Sequence, residues 1–491
     1  MGCLHDPGDP FARARERELG ATERSARRRE SVWFLAAVLL HGLVYWLCLA
    51  PWMGEDEPWH FEYASHVADG HAPWGNGRVE FSNTELQTGP DAPYDERWDH
   101  PSSQLQVRRR FATLSDEAIA ARQTQILESM ERHSFYARVD WTGGFGGRRD
   151  FDQIQPVFTA TTHQPGYYLL LGAWLALWPG EDIDGQLYWA RCLSLILYVL
   201  TCWAGLEFAR AAFTDRSLAL AVALVVAWLP MHARQAALVN NDVLVRTLSA
   251  FVWMVCARRL AGVAGAREFA LAVAAALLAL FVKTTAAAGL GVLLLTLVLD
   301  TRRVRDARRL LLYAAGAALV LAGVITYWHF QHSPVLPRNV AAFLLRIGRG
   351  LSSSAMHELA TTWIGAFNWY SRPFSGFEYA SIGGATLALL AGGLVVLARG
   401  AAGVSRSTLL LCALGVLVQL ALPVLRGVGH GRYLMPALLA ISALLAAGAV
   451  AWVPERSRPR AALALACALV VYDAWFLCAG LIPSEYGVWG A

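Results

Sequence analysis

Long apolar runs recur along this chain, separated by short polar segments rich in arginine. A bilayer core takes roughly 20 helical residues to cross. On that scale the runs predict spans near residues 31–52, 187–209, 217–233, 243–258, 268–282, 284–299, 308–327, 379–398, 407–425, 433–452 and 460–480, about eleven helices in all. Residues 271–299 are almost continuously apolar but are flanked by Arg267 on one side and Arg302 and Arg303 on the other, so the pattern predicts a hairpin of two short helices with Lys283 at its tip. Residues 165–178 are too few to cross and predict an interfacial or re-entrant helix.

Charge placement orients these elements. The leading segment carries Arg13, Arg15, Arg17, Arg24, Arg27, Arg28 and Arg29, which puts the N-terminus in the cytoplasm. About thirty polar residues precede the first apolar run, a poor match to a cleaved signal peptide. If residues 165–178 do not cross, the arginines at 210, 216, 258, 259, 302–309 and 456–460 all fall on the cytoplasmic side; if they cross, all fall outside. The non-crossing arrangement follows. It leaves a large first extracytoplasmic loop (53–186), a turn at Asn240–Asp242, the Lys283 tip, a second loop (328–378), the turn Arg426–Arg432 and a short tail (481–491) on one face. The expected organisation is a basic cytoplasmic segment (1–30) followed by one transmembrane domain (31–480).

Composition agrees with a polytopic membrane protein: 56% of residues are hydrophobic, 16% are charged, and mean hydropathy is +0.37. A net charge of +4 over 491 residues is too mild to suggest a nucleic-acid partner. The eight cysteines lie in the N-terminal segment or within or beside apolar runs, so no disulfide-stapled outer domain is implied. The first loop has a helical pattern over 114–132, and the second has amphipathic stretches over 340–348 and 356–367 suited to the interface plane.

Polar residues of chemical interest collect on the outer face. Glu55, Asp56 and Glu57 follow the first span, with Pro58, Trp59, His60 and Phe61 behind them. Such acids can also serve as a solvated helix cap. Asp242 has a similar alternative, capping the helix that starts at Val243. Lys283 is the only lysine in the chain and interrupts an apolar run, where a charge at the bilayer centre costs roughly 2.5–3.5 kcal/mol; snorkelling is its plain alternative. Arg426, His430 and Arg432 place cations on the outer side, against the usual bias, where they suit a phosphate or generic anionic headgroups. His60, His163 and Tyr167 are pocket candidates or interfacial belt residues. No ligand spacing points to a metal, and none is expected as cofactor. Asp473, inside the last span, is expected to bond to a neighbouring helix.

Several patches, in order, resemble the GT-C superfamily of membrane glycosyltransferases, the polyprenyl-phosphate-sugar users that include protein mannosyltransferases and lipid A aminoarabinose transferases. They are Asp56-Glu57-Pro58 with His60 and Phe61; His163-Gln164-Pro165-Gly166-Tyr167-Tyr168; Asn240-Asn241-Asp242; Lys283-Thr284-Thr285; and Gly431-Arg432-Tyr433-Leu434-Met435-Pro436. The aromatic stretch Trp363–Trp369 looks like that of a bacterial branch of the superfamily. The resemblance spans residues 30–450, and it departs from the family at Pro165-Gly166, where two prolines are frequent. It implies an all-α, GT-C-like fold at the bacterial cytoplasmic membrane with its active site facing outward, and an aspartate matching Asp56 as catalytic base.

Sugar transfer from a lipid phosphate needs a base for the acceptor, cations for the departing phosphate and a pocket open to the lipid. The expected function is therefore a glycosyltransferase that moves a sugar from a polyprenyl-phosphate donor to a glycan, lipid or protein acceptor. Asp56, Glu57 and Asp242 are its catalytic candidates, Lys283, Arg432 and His430 the phosphate-binding ones, and His60, His163, Tyr167 and Tyr433 line the pocket. The alternatives are a transporter or flippase of lipid-linked glycan, or an inactive protein that only binds one. Transporters commonly place charges near the midplane of repeated halves, whereas here they gather at one interface and no internal repeat is visible.

Overall fold

The computed structural model describes residues 21–54, 56–74, 111, 113–135, 163–300, 347–365, 374–401, 403–426 and 430–486. Among these residues the chain is helical throughout, with one isolated β-bridge between Phe213 and Val404. The helices are α1 (Ala21–Cys48), α2 (Glu57–Ala68), α3 (Asp116–Arg132), α4 (Gly166–Leu175), α5 (Ile183–Ala212), α6 (Arg216–Trp228), α7 (Pro230–Ala236), α8 (Asp242–Leu260), α9 (Ala266–Val282) and α10 (Ala288–Leu299). They continue with α11 (Ser353–Ile364), α12 (Gly376–Arg399), α13 (Arg406–Arg426), α14 (Leu438–Ala451), α15 (Arg458–Trp475) and α16 (Ile482–Tyr486). Short 3-10 turns at Thr284–Ala287 and Gly431–Ala437 carry two of the sequence motifs. The predicted span 308–327, Glu55 and nearly all of the 340–348 stretch lie outside the described residues.

This is a membrane protein, and among the described residues, which leave out the predicted span 308–327, fewer helices qualify as spans than the eleven expected. Among the described residues six stretches are long and apolar enough to cross: Ser25–Cys48, Ile183–Ala212, Gly376–Arg399, Arg406–Leu425, Gly431–Ala451 and Glu455–Leu481. A seventh results if α6 and α7, bent by 52° at Leu229, form one broken span. Within the described residues the difference has local causes. Helices α9 and α10 split at Lys283 into 17 and 12 residues, while α8 carries Asp242, Arg246, Arg258 and Arg259 along its 19 residues. Helix α4 has 10 residues, about 15 Å of rise, and is too short to cross, as its sequence indicated.

Helices start where the sequence supplies a capping oxygen. Asp182 accepts from the backbone of Asp184 and Gly185 ahead of α5, Asp215 from Ser217 and Leu218 ahead of α6, and Ser375 from Glu378 ahead of α12. In the bundle, α12 crosses α14 at close range because Gly392 and Gly393 face the backbone of Leu444 and Gly448; a Cβ at Gly448 would collide with the Leu389 carbonyl.

Two apolar cores organise the rest. The larger joins α1, α5, α6, α8, α9, α10 and α12–α15. The smaller gathers Phe61 and Tyr63 of α2, Phe111, Ile119 and Ile126 beside and on α3, Tyr167 and Tyr168 of α4, Leu187 of α5, Val243 of α8 and Val282 of α9. It fastens the first loop onto one end of the bundle. Trp174 and Trp189 brace α4 against α5, with rings stacked at 4.4 Å and each indole N–H donating to the other residue's carbonyl at 2.8 and 2.9 Å. Asp473 meets the expectation of a helix–helix bond, accepting from the Tyr45 hydroxyl at 2.7 Å and lying 2.8 Å from His41 Nε2.

Candidate functional site

Four chain segments converge where the smaller core meets the bundle. The first follows α1 and turns into α2 at Asp56, whose φ of 61° is left-handed, a region that Asp tolerates better than most residues. Although it holds the N-cap position, the Asp56 side chain does not cap α2. Its carboxylate instead meets Arg432 Nη1 at 3.3 Å.

The turn is anchored by the next residue. Glu57 is fully buried and paired bidentately with Arg191 of α5, Nε to Oε1 at 2.9 Å and Nη2 to Oε2 at 2.7 Å. Arg191 also donates to the carbonyls of Leu49 (2.8 Å) and Ala50 (2.9 Å), and Glu57 accepts from the Val239 backbone at 3.0 Å. One buried ion pair thus ties the end of α1, the start of α2, the first third of α5 and the segment ahead of α8.

That last segment presents Asn240, Asn241 and Asp242. The cap of α8 is supplied by Asn240, whose Oδ1 accepts from the backbone of Asp242 (2.8 Å) and Val243 (3.3 Å). Capping is therefore not the task of the Asp242 carboxylate, which takes a 2.6 Å hydrogen bond from Lys283 Nζ. Lys283 ends α9 in extended backbone and also donates to Asn241 Oδ1 at 3.2 Å. The break read from the sequence at Lys283 thus holds a buried ion pair, and the lysine does not snorkel to an exposed position.

The fourth segment is the 3-10 turn bearing Arg432 and Tyr433. Its position is set by close packing: Gly431 donates its N–H to Thr362 Oγ1 at 2.6 Å, and a Cβ at Gly431 would strike the backbone of Trp363. His430 Nδ1 accepts from the Arg432 backbone at 3.4 Å, and Gln419 Nε2 donates to the Tyr433 carbonyl at 2.6 Å. The Tyr433 ring stands 5.9 Å from Lys283 Nζ and 5.7 Å from Arg432 Cζ, within range of both cations.

Histidines complete the cluster as neutral groups. Burial, reinforced by Lys283 and Arg432 and opposed by Asp242, pushes His60 down to about 3. Burial, with His60 and Lys283 nearby, holds His163 well below its ordinary value, and burial with Arg432 does the same to His430. His60 lies 2.7 Å from the Tyr168 hydroxyl, its ring 5.6 Å from that of His163 and 6.4 Å from that of Tyr167. The Asn241 amide lies 3.2 Å from His163 Nδ1; because Asn241 Oδ1 faces Lys283, its amide group donates and His163 Nδ1 accepts.

The structure accordingly brings Asp56, Asp242, Lys283, Arg432, His430, His60, His163 and Tyr433 into one connected set, with Tyr167 at its edge. Glu57 is not among them; its carboxylate is enclosed by Arg191 and the Val239 backbone. Among the described residues no group of three His, Cys, Asp or Glu side chains is placed to hold a metal ion.

Residues 39–441 match the family described as Predicted membrane protein (DUF2142). The chain belongs to this family. No curated protein and no solved structure matches it. The matched segment contains every residue of the cluster together with Arg191, while Asp473 and Glu485 fall beyond its end.

Three arginines of this end of the molecule escaped the sequence reading. Arg191, Arg234 and Arg246 are all essentially unexposed. Arg246 donates to Gln235 Oε1 at 2.8 Å and to the His232 carbonyl at 3.3 Å, and Arg234 lies 3.8 Å from Glu485. Each interrupts or closely borders an apolar run, which is the signal that could have found them.

Proposed function

We propose that this protein is a GT-C-like glycosyltransferase that moves a sugar from a polyprenyl phosphate to an acceptor at the outer face of a bacterial cytoplasmic membrane. The observation that carries this reading is the pairing of two carboxylates with two cations at one end of the bundle: Asp56 with Arg432 and Asp242 with Lys283. A carboxylate beside two cations supplies candidates for two of the reaction's requirements, a base and a phosphate cradle. The acidic turn, the asparagine turn, the lysine tip and the arginine turn come from separate parts of the sequence. Their meeting in space is what a random scatter of outer-face charges would not produce.

In this mechanism the acceptor hydroxyl attacks the anomeric carbon as Asp56 takes its proton. The new bond is acceptor oxygen to anomeric carbon, and the bond that breaks joins that carbon to a phosphate oxygen. The lipid leaves as a phosphate monoester carrying the electron pair, so one negative charge passes from Asp56 to the phosphate. Arg432 and Lys283 stabilise that added charge, and Asp242 orients Lys283. Neutral His60 and His163 offer hydrogen bonds to sugar hydroxyls without competing for the phosphate. Glu57 serves as anchor of the turn that presents Asp56.

Native mass spectrometry of the full chain in nanodiscs of its native lipids tests the reading. An isoprenoid phosphate should co-purify with wild type and be lost from Lys283→Ala and Arg432→Ala. Asp56→Asn should abolish sugar transfer from a native lipid extract. Absence of any isoprenoid phosphate from the wild type would remove the donor assignment and bring the transporter reading forward.

A further inference from the structure

The two ion pairs of the site differ in a way that bears on the order of binding. Lys283 and Asp242 are 2.6 Å apart, their side chains retain only 9% and 11% exposure, and Asn241 holds the ammonium from a second direction. Arg432 Nη1 lies 3.3 Å from Asp56 Oδ2, with 17% and 26% exposure. A short, enclosed and doubly held pair is costly to separate, whereas a long and partly wetted one contributes little and exchanges readily.

The surroundings of Asp56 favour the same conclusion. Its side chain caps no helix, while its backbone is fixed by the Glu57–Arg191 pair one residue away. The carboxylate can therefore leave Arg432 without disturbing the turn that carries it. The guanidinium, for its part, presents a planar fork that suits two phosphate oxygens better than a single carboxylate contact.

Resting on the transferase reading above, we infer that Asp56 holds the phosphate position on Arg432 before the donor binds, and that the donor phosphodiester enters by displacing it. The exchange is balanced in charge: one singly charged phosphodiester replaces one carboxylate on one guanidinium, while Asp242 and Lys283 stay paired. Asp56, freed from its cation, is then available to an acceptor hydroxyl. Donor binding thus precedes activation of the base, and an acceptor arriving ahead of the donor meets a carboxylate already engaged. After transfer the monoester phosphate leaves, the proton passes from Asp56 to water, and the Asp56–Arg432 pair closes again.

The test is a binding measurement, independent of turnover. The full chain is reconstituted in nanodiscs of zwitterionic phosphatidylcholine, so that no anionic headgroup competes, and titrated with geranylgeranyl monophosphate by native mass spectrometry. Asp56→Asn removes the internal competitor and should tighten binding about fivefold, equivalent to ~1 kcal/mol. That gain should vanish when Arg432→Ala is added, because no guanidinium is left to compete for. Equal binding by wild type and Asp56→Asn, or weaker binding by the variant, overturns the exchange while leaving the donor assignment standing. No binding by wild type overturns both. Asp56→Ser, which also lacks the charge, repeats the comparison if the asparagine variant unfolds. Titration with inorganic phosphate separates recognition of the phosphate from that of the lipid: a fivefold gain there as well assigns the exchange to the phosphate group itself.

Discussion

The Arg191–Glu57 pair offers the most direct test of how the site is built. Arg191→Met removes a guanidinium that satisfies both oxygens of a fully buried carboxylate and the carbonyls of Leu49 and Ala50. Breaking a buried pair by deleting one partner costs about 3–5 kcal/mol because the other charge is left uncompensated. The Leu49 carbonyl loses its Arg191 donor and the Ala50 carbonyl keeps only the Met53 N–H at 3.4 Å, which places the expected loss in the upper part of that range. Glu57→Gln added to Arg191→Met removes the stranded charge while keeping an oxygen for the Val239 N–H, and should recover at least half of the loss. Equilibrium unfolding in mixed micelles, followed by the fluorescence of the 19 tryptophans, measures both. A loss under about 1 kcal/mol for Arg191→Met, or a double variant no more stable than the single one, would refute the argument. Either result would mean that the turn carrying Asp56 is held by something other than this pair.

Two further predictions follow from buried charge. Lys283→Met strands Asp242 and should destabilise the protein by about 3 kcal/mol, most of it recovered in the Asp242→Asn double variant; additive losses in the same unfolding assay would show that the two are uncoupled. Glu485, on the short helix after the last span, is pushed up to about 8 by burial, against the opposing pull of Arg234 and Arg191. The folded protein holds this proton to about pH 8, whereas an unfolded chain releases it near pH 4.3, so this group lowers stability as pH rises between those values and adds no further loss above. Glu485→Gln should therefore gain stability relative to wild type on going from pH 5 to pH 8, and an unchanged difference would contradict the protonated assignment.

The membrane class, the short α4, the helical stretch in the first loop and the break at Lys283 were all legible in the apolar pattern, because hydrophobic run length acts locally. Span count was less so. Residues 243–258 read as a span by hydrophobicity, yet Arg246 within them is buried and donates to Gln235 and to the His232 carbonyl, partners that sequence periodicity does not reveal.

For the site, the sequence by itself determined which residues carry unusual chemistry: an acidic turn, a lone lysine in an apolar run, and a turn with two arginines between apolar runs. Tertiary structure alone decided how they are employed. Asp56 and Glu57 are adjacent and chemically alike, but one reaches Arg432, 376 residues away, and the other Arg191, 134 residues away. Asp242 was free to cap its own helix, and Asn240 does so instead. A carboxylate's role depends on the cation that folding brings within about 3 Å of it, and that distance is set by helix packing rather than by neighbours along the chain.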